Sequence, residues 1–205
     1  MIHEFNILKT DSLVIHSNKL FNKLKELKYS FSEKQPNIIS VISQEEYDRS
    51  FLTYSITQKY IIDPEINSLI ESAKNIMIQN NFELDDDYAL SIEIQYGFSK
   101  NNEIITNTFS IHQDDYGGLN SNVNTLIIYL DCQCIDGELV FYEYNNVPCC
   151  VLFNCNDSFE PFRTVNPNNP SNLSCKAVIF EGSIFHKPND YSGNRLAIVF
   201  QIPRK

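Results

Sequence analysis

The sequence predicts a mainly β fold of the α+β class, a jelly roll backed by N-terminal helices. Two observations carry this. Apolar residues recur at helical spacing in two segments of the first 87 residues, whereas from Tyr88 to the C-terminus the recurrence has period 2. The later part also breaks into several short strands at roughly even intervals, bounded by Gly, Asn, Asp and Pro, a pattern of sandwiches rather than of alternating βα units. A chain of 205 residues can bury one full core. We divide it into a helical support region, 1–87, and a jelly-roll core, 88–205, within one structural domain.

In chain order, a short apolar alternation (Phe5, Ile7; Leu13, Ile15) precedes a helix that Ser17 can cap. Leu20, Phe21, Leu24 and Leu27 form its inner stripe, and Lys19, Lys23 and Lys25 face water. Residues Ile38 to Ile42 read as a strand, followed by an aromatic segment without a clear period (Tyr47, Phe51, Tyr54, Tyr60). Asp63-Pro64 supplies a cap and a proline at the first helical position, and Ile66, Leu69, Ile70, Ala73 and Met77 lie along one stripe that ends near Asn80-Asn81.

The core begins with Leu90, Ile92, Ile94 and Tyr96 alternating with Ser91, Glu93 and Gln95, and Gly97 to Asn102 provide the turn. A strand from Ile104 or Ile105 carries the chain into His112. Beyond the Gly117-Gly118 loop, Asn124 to Asp131 is apolar on both faces, Asp136-Gly137 marks a hairpin turn into Glu138 to Tyr144, and Val147 to Phe153 is a further strand. Asn154 to Ser174, rich in Asn, Pro and Ser, reads as a loop that serves either as a lid or as a surface insertion. Lys176 to Phe180, Ile184 to Lys187 and Asn194 to Ile202 complete the strands, with Gly182 and Gly193 as turn residues. In such a double-stranded β-helix, inward residues line a cleft.

Composition narrows the function. A formal charge of −10 opposes a phosphate backbone, so nucleic acid is a disfavoured partner. No basic segment followed by an apolar run opens the chain, and no stretch approaches the ~18 apolar residues that span a bilayer, so the expected location is cytoplasmic, away from membranes. The cysteines at 132, 134, 149, 150, 155 and 175 form no paired Cys-x-x-Cys motif, and reduced thiols are expected rather than a zinc site at Cys132 and Cys134.

The chemistry centres on His112-Gln113-Asp114. On an extended strand, residues i and i+2 project to one face, so an imidazole and a carboxylate can reach one ion. His186 is a third candidate ligand, and two His plus one carboxylate with open positions suits non-haem Fe(II). Asp115 is the alternative if the ligand register is off by one. Arg195 follows His186 by nine positions, on a strand face shared with Ala197 and Val199, where it would be a partly buried charge needing an anion.

Five pieces in order resemble the Fe(II)/2-oxoglutarate-dependent dioxygenase superfamily, in its prolyl-hydroxylase-like branch. They are His112-Gln113-Asp114, Asn124-Thr-Leu-Ile-Ile-Tyr-Leu-Asp131, Asp136-Gly-Glu-Leu-Val-Phe141, Ala177-Val-Ile-Phe180 leading to His186, and Gly193-Asn-Arg-Leu-Ala197. The resemblance implies that His112, Asp114 and His186 bind Fe(II) and that 2-oxoglutarate chelates the metal beside a position for O2. Arg195 would pair with the distal C5 carboxylate, with Tyr129 donating to the same group and Thr125 and Tyr96 lining the pocket; for Tyr129 and Tyr96 the competing reading is packing alone. It implies hydroxylation of a protein side chain, with prolyl as the first guess, release of succinate and CO2, and ascorbate as a reductant. The alternatives are a small-molecule hydroxylase and a non-catalytic jelly-roll binding module. Asp136-Gly137 stands where the family often has Gly-Gly, and the Tyr96 to His112 spacing is longer than in the oxygen-sensing enzymes; both departures bear on the substrate more than on the cofactor.

Overall fold

The computed structural model describes residues 1–27, 40–46, 49–57, 64–85, 91–98, 103–106, 110–114, 122–144 and 159–204. Ten strands and two helices follow in the order β1 (Ile2–Leu8), α1 (Ser12–Leu27), β2 (Ser40–Glu46), β3 (Arg49–Thr57), α2 (Pro64–Gln79), β4 (Ser91–Phe98), β5 (Val123–Asp136), β6 (Leu139–Tyr144), β7 (Phe159–Val165), β8 (Ser174–Glu181), β9 (Phe185–Pro188) and β10 (Tyr191–Pro203). They form a seven-stranded antiparallel sheet, β1-β8-β5-β10-β4-β3-β2, facing a three-stranded sheet, β7-β6-β9. This is the jelly roll expected, with helices on the outer face of the large sheet. The N-terminal region contributes three strands to that sheet rather than the single one read from sequence.

Helix α1 starts earlier than Ser17. Asp11 is its cap: Oδ1 accepts from the Leu13 amide at 2.9 Å and its carbonyl accepts from Ile15 at 3.0 Å. Ser17 instead lies buried in the helix and donates back to the Leu13 carbonyl at 2.7 Å. Leu13 therefore belongs to the helix stripe with Val14, Leu20 and Phe21, while Ile15 is exposed; Leu24, Leu27 and Ile66 have side chains outside the described residues. Asp11→Ala should cost about 1 kcal/mol, lowering the midpoint of thermal unfolding by about 2–4 °C. An unchanged midpoint would make the cap irrelevant to stability.

Helix α2 begins at Pro64 and closes with a Schellman motif. Asn81 adopts φ 65°, the Phe82 amide reaches the Met77 carbonyl at 3.0 Å and the Asn81 amide reaches Ile78 at 2.9 Å. Met77 and Phe82 both enter the core that α1 and α2 form with Ile92, Ile94, Leu126, Ile128, Leu130, Ile198 and Phe200. The opposite face of the large sheet packs on the small one through Ile127, Tyr129, Phe141, Val165, Val178, Phe180, Ala197 and Val199. Strands β5, β8 and β10 are thus buried on both faces, which explains their near-continuous apolar runs.

Several sequence expectations change. Asp136 and Gly137 have φ 62° and 83°, as a tight primed turn requires, but they hand the chain from one sheet to the other rather than closing a hairpin, since β6 pairs with β7 and β9. The expected loop from 154 to 174 contains β7; its Pro161 sits at a register shift on an edge strand, where a missing N–H is tolerated. Gly97 and Gly193 lie inside β4 and β10 rather than in turns. At Gly97 any Cβ would strike the Tyr191 phenol, and Gly193 holds φ 103° against the Gln133 carbonyl. Of the expected strand before His112, the described residues show isolated bridges, Ile105 with Tyr191 and His112 with His186. Val147 to Phe153, the Gly117-Gly118 loop, Ile38, Tyr47 and Tyr60 lie outside the described residues. Among the described residues no helix is long and apolar enough to cross a membrane.

Candidate metal centre and anion pocket

Long-range backbone pairing, rather than strand periodicity, brings the three candidate ligands together. His112 and His186 exchange both backbone hydrogen bonds (3.0 and 2.9 Å), and the Asp114 amide donates to the Gly182 carbonyl at 2.8 Å. These bonds tie residues 110–114 to the chain around β9, so that one ligand atom from each of His112, Asp114 and His186 lies within 4.8 Å of the others. Asp114 Oδ1 is 3.7 Å from Nε2 of each histidine.

The hydrogen bonds around the triad fix which atoms face one another. His112 Nδ1 donates to the Ser110 carbonyl at 2.9 Å and His186 Nδ1 to the Ile184 carbonyl at 3.0 Å, leaving the lone pair of each ring on Nε2. The Thr125 hydroxyl donates to Asp114 Oδ2, which leaves Oδ1 for the centre. Thr125 thus orients the candidate ligand Asp114. His186 is buried, with its ring 4.7 Å from that of Phe180 and 6.2 Å from that of Phe141. Burial, the largest influence, holds its imidazole below the ordinary value, against the pull of Asp114. A neutral imidazole is the form that ligates.

Thr125→Val removes the hydroxyl that orients Asp114 while keeping the volume of the side chain. Divalent-metal affinity should fall about 10- to 100-fold with the fold retained; equal affinity in titrations of variant and parent would show that Asp114 needs no such support.

The other end of the same inner layer holds Arg195. Thr125 and Tyr129 are four residues apart on one face of β5, about 13 Å along the strand, and the Arg195 guanidinium lies 5.6 Å from the Tyr129 ring centre and 5.5 Å from that of Tyr191. Arg195 is 3% exposed, and neither its Nε nor the Tyr129 hydroxyl has a hydrogen-bond partner of good geometry. Burial pushes the Tyr129 phenol up to about 12 despite the neighbouring guanidinium, so it remains a donor at neutral pH. Strand β5 makes this possible by a bulge. The register with β10 slips between Leu196 and Ala197, which sends Cys132 inward and turns Asp131 outward to accept from Asn194 Nδ2 at 2.7 Å. The nearest strand carboxylate is thereby kept off Arg195.

Tyr96 pairs by backbone with Leu196, and its side chain lies outside the described residues, as does Asp115. Sequence reasoning missed Tyr191, whose ring centre lies 5.5 Å from the guanidinium, and Glu93 with Gln95. Ile92 and Ile94 enter the helix-side core, so Glu93 and Gln95, read from sequence as the polar side of an alternating strand, face the inner layer. Among the described cysteines, Cys132, Cys134 and Cys175 are free buried thiols. Cys132 and Cys134 donate to the Leu196 and Asp136 carbonyls.

No protein-family model and no curated protein matches the chain. Solved structures do. A prolyl 4-hydroxylase from Phytophthora capsici superposes with a TM-score of 0.50 at 12% identity, over 98% of this chain and 58% of that one. The chain has the fold of a prolyl 4-hydroxylase. A Pseudomonas putida prolyl-4-hydroxylase superposes with a TM-score of 0.49 at 10% identity, over 98% of this chain and 92% of that one. The present chain spans a little over half the length of the Phytophthora protein, and the likeness is one of fold.

Proposed function

We propose that this protein is an Fe(II)- and 2-oxoglutarate-dependent dioxygenase that hydroxylates a side chain of a polypeptide, with prolyl as the first candidate. The observation that carries the reading is a buried cation, Arg195, beside which the described residues place no carboxylate, in the same inner layer as a two-histidine, one-carboxylate face. A folded protein gains little by burying a guanidinium with no carboxylate beside it, but a planar fork matches a dicarboxylate.

The donor set fits Fe(II): two imidazole nitrogens with fixed tautomers and one carboxylate oxygen leave the remaining positions open. When bound, Fe(II) supplies the coupling of O2 reduction to oxidative decarboxylation of 2-oxoglutarate, so that R–H, O2 and 2-oxoglutarate give R–OH, succinate and CO2. His112, Asp114 and His186 would hold the metal, each through one donor atom. Arg195 and Tyr129 bind the distal carboxylate and so set the direction in which the co-substrate lies. Phe141, Phe180, Ile127 and Val199 wall the layer with apolar surface that excludes water. Ascorbate is the reductant that would accompany such a site, and the net charge of −10 suits a neutral or basic polypeptide in an aqueous compartment such as the cytoplasm better than nucleic acid.

Succinate release from 2-oxoglutarate, with Fe(II), O2 and ascorbate, tests the reading. Wild-type protein should release succinate and show a visible charge-transfer band when Fe(II) and 2-oxoglutarate are added without oxygen. Absence of both would leave a non-catalytic jelly-roll module. A +16 mass shift on metabolites but never on peptides would favour the small-molecule hydroxylase.

A further inference from the structure

Glu93 brings a carboxylate to the inner face of the large sheet, beside the apolar side chains of Ile127 and Val199. On the inner face of the large sheet, Glu93 lies in register with Val199, which in turn pairs with Ile127, and Gln95 lies beside Ala197, which pairs with Tyr129. The Glu93 row falls between Thr125, which holds Asp114, and the Tyr129 row beside Arg195. Gln95 Nε2 donates to Glu93 Oε1 at 2.9 Å, which pins the carboxylate and leaves Oε2 free to accept. Among the described residues no lysine or arginine pairs with it, and it is close enough to Asp114 and His112 to feel both. Its burial, the largest influence, works against its charge, so a cation arriving beside it gains a partner that solvent screens poorly.

We propose that Glu93, positioned by Gln95, is the specificity-determining residue of this site, and that it selects substrates carrying a protonated amine or guanidinium close to the hydroxylated carbon. This rests on the dioxygenase reading and names its substrate class. An apolar wall grips any aliphatic substrate, whereas a held carboxylate at its centre discriminates by charge: a basic group is paired, a neutral one leaves Glu93 desolvated and unpaired, and an acidic one is repelled. The chain's net charge of −10 adds long-range attraction for the same substrates. The cationic group can come from a lysine or arginine side chain of a polypeptide or from a free basic amino acid.

The test measures binding and turnover separately. Wild-type protein and Glu93→Gln, each loaded with Fe(II) and 2-oxoglutarate under nitrogen, are equilibrated with capped peptide pools that differ only in a fixed central Lys, Arg, Gln or Glu, and with lysine and arginine amides. Bound species are quantified by mass spectrometry. Wild type should retain the Lys and Arg pools at least about tenfold over the Gln pool, and Glu93→Gln should bring that ratio near one. Retention of the amides without the pools would assign the cation to a small molecule. Gln95→Ala, which frees the carboxylate without removing it, should give an intermediate ratio, so the assignment does not hang on one variant's folding. Equal retention of all pools by wild type, or selectivity that survives Glu93→Gln, overturns the proposal. Succinate release by wild type scores the dioxygenase reading on its own: succinate without charge selectivity sinks only the role of Glu93, and Glu93-dependent selectivity without succinate leaves a cation-binding module and sinks the catalysis.

Discussion

Asp114→Asn binds Fe(II) at least about 100-fold more weakly than the parent and releases no succinate, while its thermal midpoint without metal stays within a few degrees. The difference arises because the change removes a charge and almost no volume. Asparagine keeps an oxygen that accepts from Thr125 and leaves the wall packing untouched. It removes the one formal negative charge among the three candidate ligands, and a two-log loss corresponds to about 2.8 kcal/mol, modest for a charge bonded to a divalent ion. His186→Ala makes the contrast. Its ring is packed against Phe180 and Phe141, so truncation opens a cavity as well as deleting a ligand, and its stability should fall by about 2–4 kcal/mol. Isothermal titration with Fe(II) under nitrogen and a melting curve of each apo protein separate the two effects. Parent-like Fe(II) affinity in Asp114→Asn would remove Asp114 from the ligand set.

How far the site could be read from sequence depends on what each residue's signal was. His112, Asp114, His186 and Arg195 were legible by chemistry and order alone, since few cores bury such groups without a use for them. Their geometry was not. His112 and Asp114 converge because their backbone pairs with His186 and Gly182, contacts about 70 residues away in sequence that no local periodicity encodes. Strand β7 was hidden by Glu160, Pro161 and Arg163, which an edge strand tolerates and a central one does not. Glu93 and Gln95 were misread for a different reason. Alternation shows that a strand has two faces, but not that the polar face looks onto another sheet instead of water. The Asp131 bulge belongs to the same class: one extra residue in β5 decides whether Arg195 finds a carboxylate, and the sequence around Leu130 carries no mark of it.

Arg195→Met should raise the stability of the apo protein while removing its affinity for 2-oxoglutarate, a pairing of signs that a packing residue cannot produce. The guanidinium is 3% exposed, meets two aromatic rings and has no carboxylate beside it among the described residues, so the folded chain offsets only part of its desolvation. Methionine fills a similar volume with apolar atoms, and replacing buried ions in this way is neutral or stabilising by about 1–4 kcal/mol. For a chain of this size that is a rise of about 2 °C or more in the thermal midpoint. Truncating one partner of a buried charge pair costs about 2–5 kcal/mol in binding, which predicts a 2-oxoglutarate affinity lower by about 30-fold to several thousand-fold, with Fe(II) affinity retained. Arg195→Lys restores a charge without the planar fork and should recover only part of the loss. Tyr129→Phe removes the second orphaned polar atom and should move stability and co-substrate affinity in the same directions by smaller amounts. The opposite pattern, a destabilised apo protein that binds 2-oxoglutarate as the parent does, would make Arg195 a structural residue and leave the inner layer without an anion site.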